Sequence, residues 1–238
     1  MSKPTEDVTS PSRSLDEQAA NARRSDAEAR LFNAQAEEAE ATAFVATTMA
    51  EELREKDTFR RASDTYHHVY RFNGEVSSSS VGACMTKLSA WARITPGCDI
   101  EVIFSSGGGS VTDGFVLYDF LRQLSADGHH VTTGMQGMAA SMAGILMQAG
   151  DTRWAGAESW YMIHRAAFGT SGKTYENEDR VDWIKRVEKR IIDIFASRTE
   201  LTAAKLRRNW DRKDWWIDSD EALAMGLVDE IRGGFSSE

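Results

Sequence analysis

Proline is almost missing from this chain: three in 238 residues, at positions 4, 11 and 96. Cysteine is scarcer still. Cys84 and Cys98 form no CxxC pair, and no histidine lies at metal-ligand spacing beside them. That excludes a disulfide framework and a zinc module, and leaves two reduced, packing thiols of a cytoplasmic protein as the expectation. A basic excess is absent too. Lys and Arg number 28 against 37 Asp and Glu, a net charge of −9, so no stripe invites nucleic acid. Residues 1–30 lack the apolar core of a secretory signal. The longest mainly apolar run, Met135–Ala149, is too short and too rich in glycine to span a bilayer. No membrane partner is expected.

What is present changes character along the chain. Residues 1–14 are polar and read as a disordered leader. From Leu15 to about Arg61 neither glycine nor proline occurs, and alanine, glutamate and arginine dominate. This composition predicts one long helix. Residues 1–56 hold seven basic and twelve acidic side chains, over half of the net charge. Ala22, Ser25, Ala29, Phe32, Ala36, Ala39, Ala43, Ala46, Ala50 and Leu53 step alternately by three and four, a heptad rhythm. A weakly driven coiled coil and a fully solvated helix both fit that seam.

Beyond a linker at Thr58–His68, strands and helices alternate. Val69–Phe72 and Ile100–Phe104 read as strands, and Val81–Arg93 between them as a helix broken by Pro96-Gly97. Ser105–Ser110 (SSGGGS) joins the second strand to a helix at Val111–Leu124. His130–Gly134 is a third strand, Trp160–His164 a fourth, and Asp151–Ala157 a connection between them. Glu176–Thr199 has Val181, Ile184, Val187, Ile191 and Phe195 on one face. Ala203–Trp210 is a further helix, Asp211–Trp216 a charged loop, and Ser219–Met225 a short helix capped by Ser219. Gly233–Glu238 reads as a flexible tail. The pattern predicts an α/β domain over residues 62–232, a sheet with helical crossovers.

The chemistry gathers at glycine-rich junctions. Gly134–Gly144 (GMQGMAASMAG) places one serine, Ser141, at a strand-to-helix turn. His164 closes the fourth strand 23 residues later, and Asp214 lies 50 residues further on. A hydroxyl, an imidazole and a carboxylate are the parts of an activated nucleophile. Gly108 and Gly109, at the other strand-to-helix junction, offer backbone N–H groups for an oxyanion. The glycine run lacks the lysine and Ser/Thr of a phosphate loop. Neither a metal nor a cofactor is implied. Asp211 and Asp218 compete with Asp214 for the third place.

Five pieces, in order, resemble one family: Phe72–Val76 (FNGEV), Ser105–Gly109, Gly137–Ala143, Tyr161–His164, and Asp214–Trp216 followed by Glu221–Asp229. Residues 69–231 look like the proteolytic subunits of Clp protease, serine peptidases of the crotonase-like superfamily. The resemblance implies a ClpP/crotonase-like fold of repeated β-β-α units. It implies Ser141 as nucleophile, His164 as general base and Asp214 as the third member, with the amides of Gly109 and Met142 as oxyanion hole. Substrate would add as a strand along Gly108, Ser110 and Val111 and beside Arg165. The helix at 176–199 matches the element through which two rings of subunits meet. A ring-like homo-oligomer fed by an ATP-dependent unfoldase is the family's usual partnership.

Three departures stand out. Gly107 occupies a place where the family commonly has proline, Ser110 replaces an apolar residue, and a long acidic helix replaces the short N-terminus of the family. A Clp-like core with a charged helical extension resembles bacteriophage head-maturation proteases. The expected substrate is then a capsid or scaffold protein, cut in a bacterial cytoplasm inside an assembling head. Acyl-CoA chemistry on the same scaffold, and a non-catalytic assembly role, are the competing readings.

Overall fold

The computed structural model describes residues 15–169, 171–211 and 213–234. The leader expected at 1–14 and the last four residues of the expected tail lie outside them. The chain divides into two units at Arg60–Arg61. In the first, α1 runs unbroken over Leu15–Arg61 and buries none of its side chains. Leu31, Phe32, Phe44, Val45, Met49, Leu53 and Phe59 are all exposed, and the heptad positions share that exposure. Intrinsic propensity sustains it, helped by ion pairs one turn apart at Glu52–Lys56 and Asp57–Arg60.

The second unit is built on a seven-stranded sheet. Five strands lie parallel in the order β1 (Val69–Asn73), β2 (Ile100–Ser106), β3 (Val131–Ala140), β4 (Thr152–Gly156), β7 (Glu230–Arg232). A parallel sheet needs cover, and the central strands are accordingly rich in buried apolar residues, among them Ile100, Val102, Ile103, Phe104, Val131 and Met135. Helix α2 (Ser78–Ile94) begins at a capping box between Ser77 and Ser80 and turns Val81, Cys84, Leu88 and Trp91 inward. Burial pushes the Cys84 thiol up to about 12, so it packs as a neutral group. Helices α3 (Val111–Ala126) and α4 (Met142–Met147) complete this layer, and α4 is buried at every residue.

Strand β3 changes partners along its length. Thr132–Met135 pair with β4, whereas Met138–Ala140 pair with β5 (Trp160–Ile163), which in turn takes β6 (Trp215–Ile217) antiparallel. The register with β2 shifts between Phe104 and Ser106 at the same level. This switch carries the end of β3 out of the main sheet and into the small one, where the site lies.

Several expectations change. Asp151–Ala157, expected as a connection, contains β4, and the loop at Asp211–Trp216 runs into β6. Strand β3 continues six residues past Gly134. The cap of α7 (Ser219–Ala224) is Asp218, whose carboxylate accepts from Glu221 N–H at 2.8 Å; Ser219 is the first helical residue. In α5 (Thr174–Arg198) the buried face begins only at Ile184, and Val181 is exposed. Helix α6 (Ala203–Trp210) buries Leu206 and Trp210.

A buried polar network ties α4 to its surroundings. Arg153 on β4 is 6% exposed. Its guanidinium meets Asp229 at 2.5 Å and donates to Gln148 Oε1 at 2.6 Å and to the carbonyls of Arg198 and Gly226. Gln148 donates on to Tyr161 Oη at 3.1 Å and to the Leu227 carbonyl, and the Tyr161 hydroxyl donates to the Gly144 carbonyl. Arg153, Gln148 and Tyr161 are all engaged, which is what lets such a network specify one packing, although the neighbouring Arg198 keeps a buried Nε without a partner among the described residues. Partial burial raises the Asp229 carboxyl, but the hydrogen bonds and charge of Arg153 outweigh it and hold it below the usual range. A depressed carboxylate stabilises the fold above its unfolded value and loses that contribution as pH falls through the folded one. Asp229→Asn should therefore cost about 1–2 kcal/mol at pH 7, between exposed and buried pairs because Asp229 is 41% exposed. In urea titrations the gap between variant and wild type should close as pH drops below about 4. A gap that persists there would contradict the assignment.

Candidate active site

The serine comes first because its backbone is unusual. Ser141 links β3 to α4 with φ 55° and ψ −122°. Among the described residues only His68 is another non-glycine with positive φ. A side chain in this region costs on the order of 1–3 kcal/mol and persists only where neighbours over-determine it. They do so here. Ser141 N–H donates to the Met162 carbonyl at 2.9 Å, and Ala139 and Ala140 before it are buried. From the other side the α-carbon of Gly108 presses so close that a methyl there would stand 2.7 Å from both the Ala140 oxygen and Ser141 Cβ.

Strand pairing delivers the other two groups. Ala140 opposes Met162, so Ser141 comes level with Ile163 and His164 lies one residue further along the same strand direction. His164 Nε2 lies 2.6 Å from Ser141 Oγ. Ile163 opposes Trp215 across the antiparallel pair, so one step further out His164 faces Asp214. His164 Nδ1 stands 3.9 Å from Asp214 Oδ1, an ion-pair separation longer than a hydrogen bond. The imidazole is 24% exposed and the carboxylate 59%. The two rivals are engaged elsewhere: Asp211 lies 3.6 Å from Arg165, and Asp218 caps α7.

The glycine loop closes the cleft. Ser106 Oγ accepts from Gly108 N–H at 3.1 Å, Val76 N–H donates to the Gly108 carbonyl at 2.8 Å, and Ser110 N–H donates to the Val76 carbonyl at 2.8 Å. These bonds hold Gly108 at φ 94° and Gly109 at φ 147°. They also point Gly109 away from Val76, and a methyl at Gly109 would collide with the Val76 oxygen at 2.3 Å. Among the described residues, the amides of Gly109 and Met142 donate to no partner. Val76, which clamps this loop, carries no expected role beyond its place in the FNGEV piece.

The residues expected beside substrate divide. Gly108 and Val111 flank the loop, and the Ser110 hydroxyl is used to cap α3, accepting from Asp113 N–H at 3.3 Å. Arg165 turns aside to α5, where its guanidinium donates to Glu188 at 2.9 and 3.1 Å. It lines a groove of about 430 Å³ with Lys185, Lys189, Ile192 and Trp210. Among the described residues no cluster of three His, Cys, Asp or Glu side chains is placed to hold a metal ion.

A strained hydroxyl against an imidazole, with two unengaged amides alongside, is equipped for acyl transfer through an activated serine. Sequence comparison agrees. The pattern of the Clp protease family matches residues 51–234. The chain is 36% identical over 138 residues to an ATP-dependent Clp protease proteolytic subunit of Porphyromonas gingivalis, covering 57% of this chain and 60% of that one. Proteins of the same name from Deinococcus radiodurans and Bacteroides thetaiotaomicron are 31% and 35% identical over 158 and 159 residues. Those matches take in 66% of this chain and 76% and 70% of the relatives. The chain belongs to the Clp protease family of serine-type peptidases.

Backbone strain at the serine has a measurable consequence. Ser141→Gly should raise stability by roughly 0.5–2 kcal/mol in urea titrations, because glycine adopts this conformation freely. Ser141→Ala, which keeps the strain, should stay near wild type. Equal stability of the two variants would show that the turn stores nothing.

Proposed function

We propose that this chain is a serine endopeptidase that cuts polypeptide with Ser141 as nucleophile, His164 as general base and Asp214 as the group that orients it. The observation that carries the reading is the 2.6 Å contact between Ser141 Oγ and His164 Nε2 on a strained turn. His164 takes the hydroxyl proton as Oγ attacks the scissile carbonyl. The oxygen that becomes negative is stabilised by the N–H groups of Gly109 and Met142. His164 then returns the proton to the leaving amine, and water repeats the sequence on the acyl-enzyme. The free edge beside the glycine loop suits a substrate bound as an added strand.

The biological setting we propose is maturation of a phage-type capsid. The support is the acidic helix α1, which replaces the short N-terminus of the family. It would place the peptidase among capsid or scaffold subunits, in the cytoplasm of a bacterial host. The second reading is a degradative subunit of a ring-like homo-oligomer fed by an ATP-dependent unfoldase, favoured by the names of the relatives. Casein turnover that depends on an added ATPase would favour it. Cleavage of a co-expressed capsid protein without ATP would favour the first.

A fluorophosphonate should label wild type at Ser141 and leave Ser141→Ala unlabelled. Ser141→Ala and His164→Ala should each lower peptide turnover by about 1,000-fold or more. Asp214→Asn should cost less, roughly 10–100-fold, because an exposed carboxylate beyond hydrogen-bond reach orients the imidazole weakly. Turnover retained in Ser141→Ala would end the peptidase reading. Intact mass of purified protein provides a further check: an N-terminus shortened in wild type and full-length in Ser141→Ala would establish self-processing.

A further inference from the structure

The two amides that stabilise the oxyanion in the proposed mechanism sit on different elements. Gly109 precedes α3, and Met142 opens α4. Ser110 ties the loop to α3 by capping that helix, so the separation of the amides depends on the spacing of α3 and α4 at this end.

Besides the Gly108 backbone against the Ser141 turn, one contact between the two helices themselves bears on that spacing. Gly114 lies one turn into α3, buried, with its N–H bonded to the Ser110 carbonyl at 2.9 Å. A Cβ added to it would stand 2.2 Å from Met142 Cγ, 2.6 Å from Cε and 2.8 Å from Sδ. Met142 is 1% exposed, so its side chain fills the notch left by the missing methyl. Glycine is a poor helix former, and its presence here matches the need for that notch. The overlap begins at Cγ, one bond beyond Cβ, so the flexible tip of the side chain cannot relieve it. Met142 would have to rotate about its first torsion in a close-packed core, or its backbone would have to retreat. Retreat carries the amide with it.

We propose that Gly114 is a positioning residue: its bare α-carbon, filled by the Met142 side chain, fixes the distance between the Gly109 and Met142 amides and so the fit of the oxyanion hole. The inference rests on Ser141 being the nucleophile.

The test uses the full chain and a fluorophosphonate probe, whose phosphoryl oxygen calls on the same two donors. Intact mass assigns the label, and kinact and KI are read separately. Gly114→Ala should lower kinact by about 10-fold or more with KI within about two-fold, because a small displacement of a donor weakens the transition state and leaves probe binding intact. Met142→Ala, which empties the notch, should lower kinact as well. In the Met142→Ala background the three atoms that the methyl of Gly114→Ala strikes are gone, so adding it should cost less than about two-fold. A purely structural role would lower Tm without this kinetic coupling. The proposal is overturned if folded Gly114→Ala labels at the wild-type rate, or if its loss is the same size in both backgrounds. Should Gly114→Ala not fold, Met142→Ala and the double variant still decide the matter: equal kinact in the two supports the proposal, and a further loss in the double variant overturns it. Absent labelling of wild type, or labelling of Ser141→Ala, would instead remove the nucleophile assignment and this inference with it.

Discussion

A single backbone hydrogen bond, from Ser141 N–H to the Met162 carbonyl, holds the chemistry of this protein together. It joins the end of β3 to β5 at the point where both strands stop. Because the pairing is parallel and sets Ala140 opposite Met162, Ser141 comes level with Ile163 and His164 follows one residue beyond, close enough for its ring to reach the hydroxyl. The hydroxyl meets the imidazole through sheet geometry, not through a flexible loop. The same logic, run through the antiparallel β5–β6 pair, aims the Asp214 carboxylate at the far side of the ring. Three residues spread over 74 positions of sequence converge because two strand registers are fixed.

The rest of the second unit keeps those registers from slipping. The strained serine needs neighbours that leave it no other conformation. The Gly108 backbone, the Tyr161–Gln148–Arg153 network and the Met142 side chain lodged against Gly114 enclose α4 on separate sides. Burial of all six α4 residues makes a shift of that helix costly. The two halves of the cleft thus have different characters. The serine and the amides are embedded in packed backbone, whereas the aspartate stands exposed just before the short edge strand β6.

Much of this was written plainly in the sequence. The apolar spacing of α2 and the strand–glycine–helix junctions locate the core and the loop, and Ser141 and His164 sit at element ends as expected. Strand β4 was hidden because its second residue is an arginine, Arg153, which looks exposed until Asp229, 76 positions away, is brought beside it. The extension of β3 was hidden by its glycines, which read as a turn and not as a strand that changes partners. The Asp218 cap was legible: Asp-x-x-Glu before an apolar stretch is a capping-box spacing, and the adjacent serine distracted from it. No pattern in the chain announces the role of Val76, whose contribution comes entirely from its main-chain N–H and C=O.

Helix α1, some 70 Å long at 1.5 Å per residue, shields none of its side chains. Its order is consequently a local affair. On warming it should loosen gradually from its ends, contributing little to the sharp heat absorption of the sheet unit. Each frayed turn is extended polypeptide, the form in which the proposed peptidase site would bind a substrate as an added strand. The molecule carries within itself a segment whose susceptibility to cutting rises and falls with temperature, independent of how firmly the rest is folded.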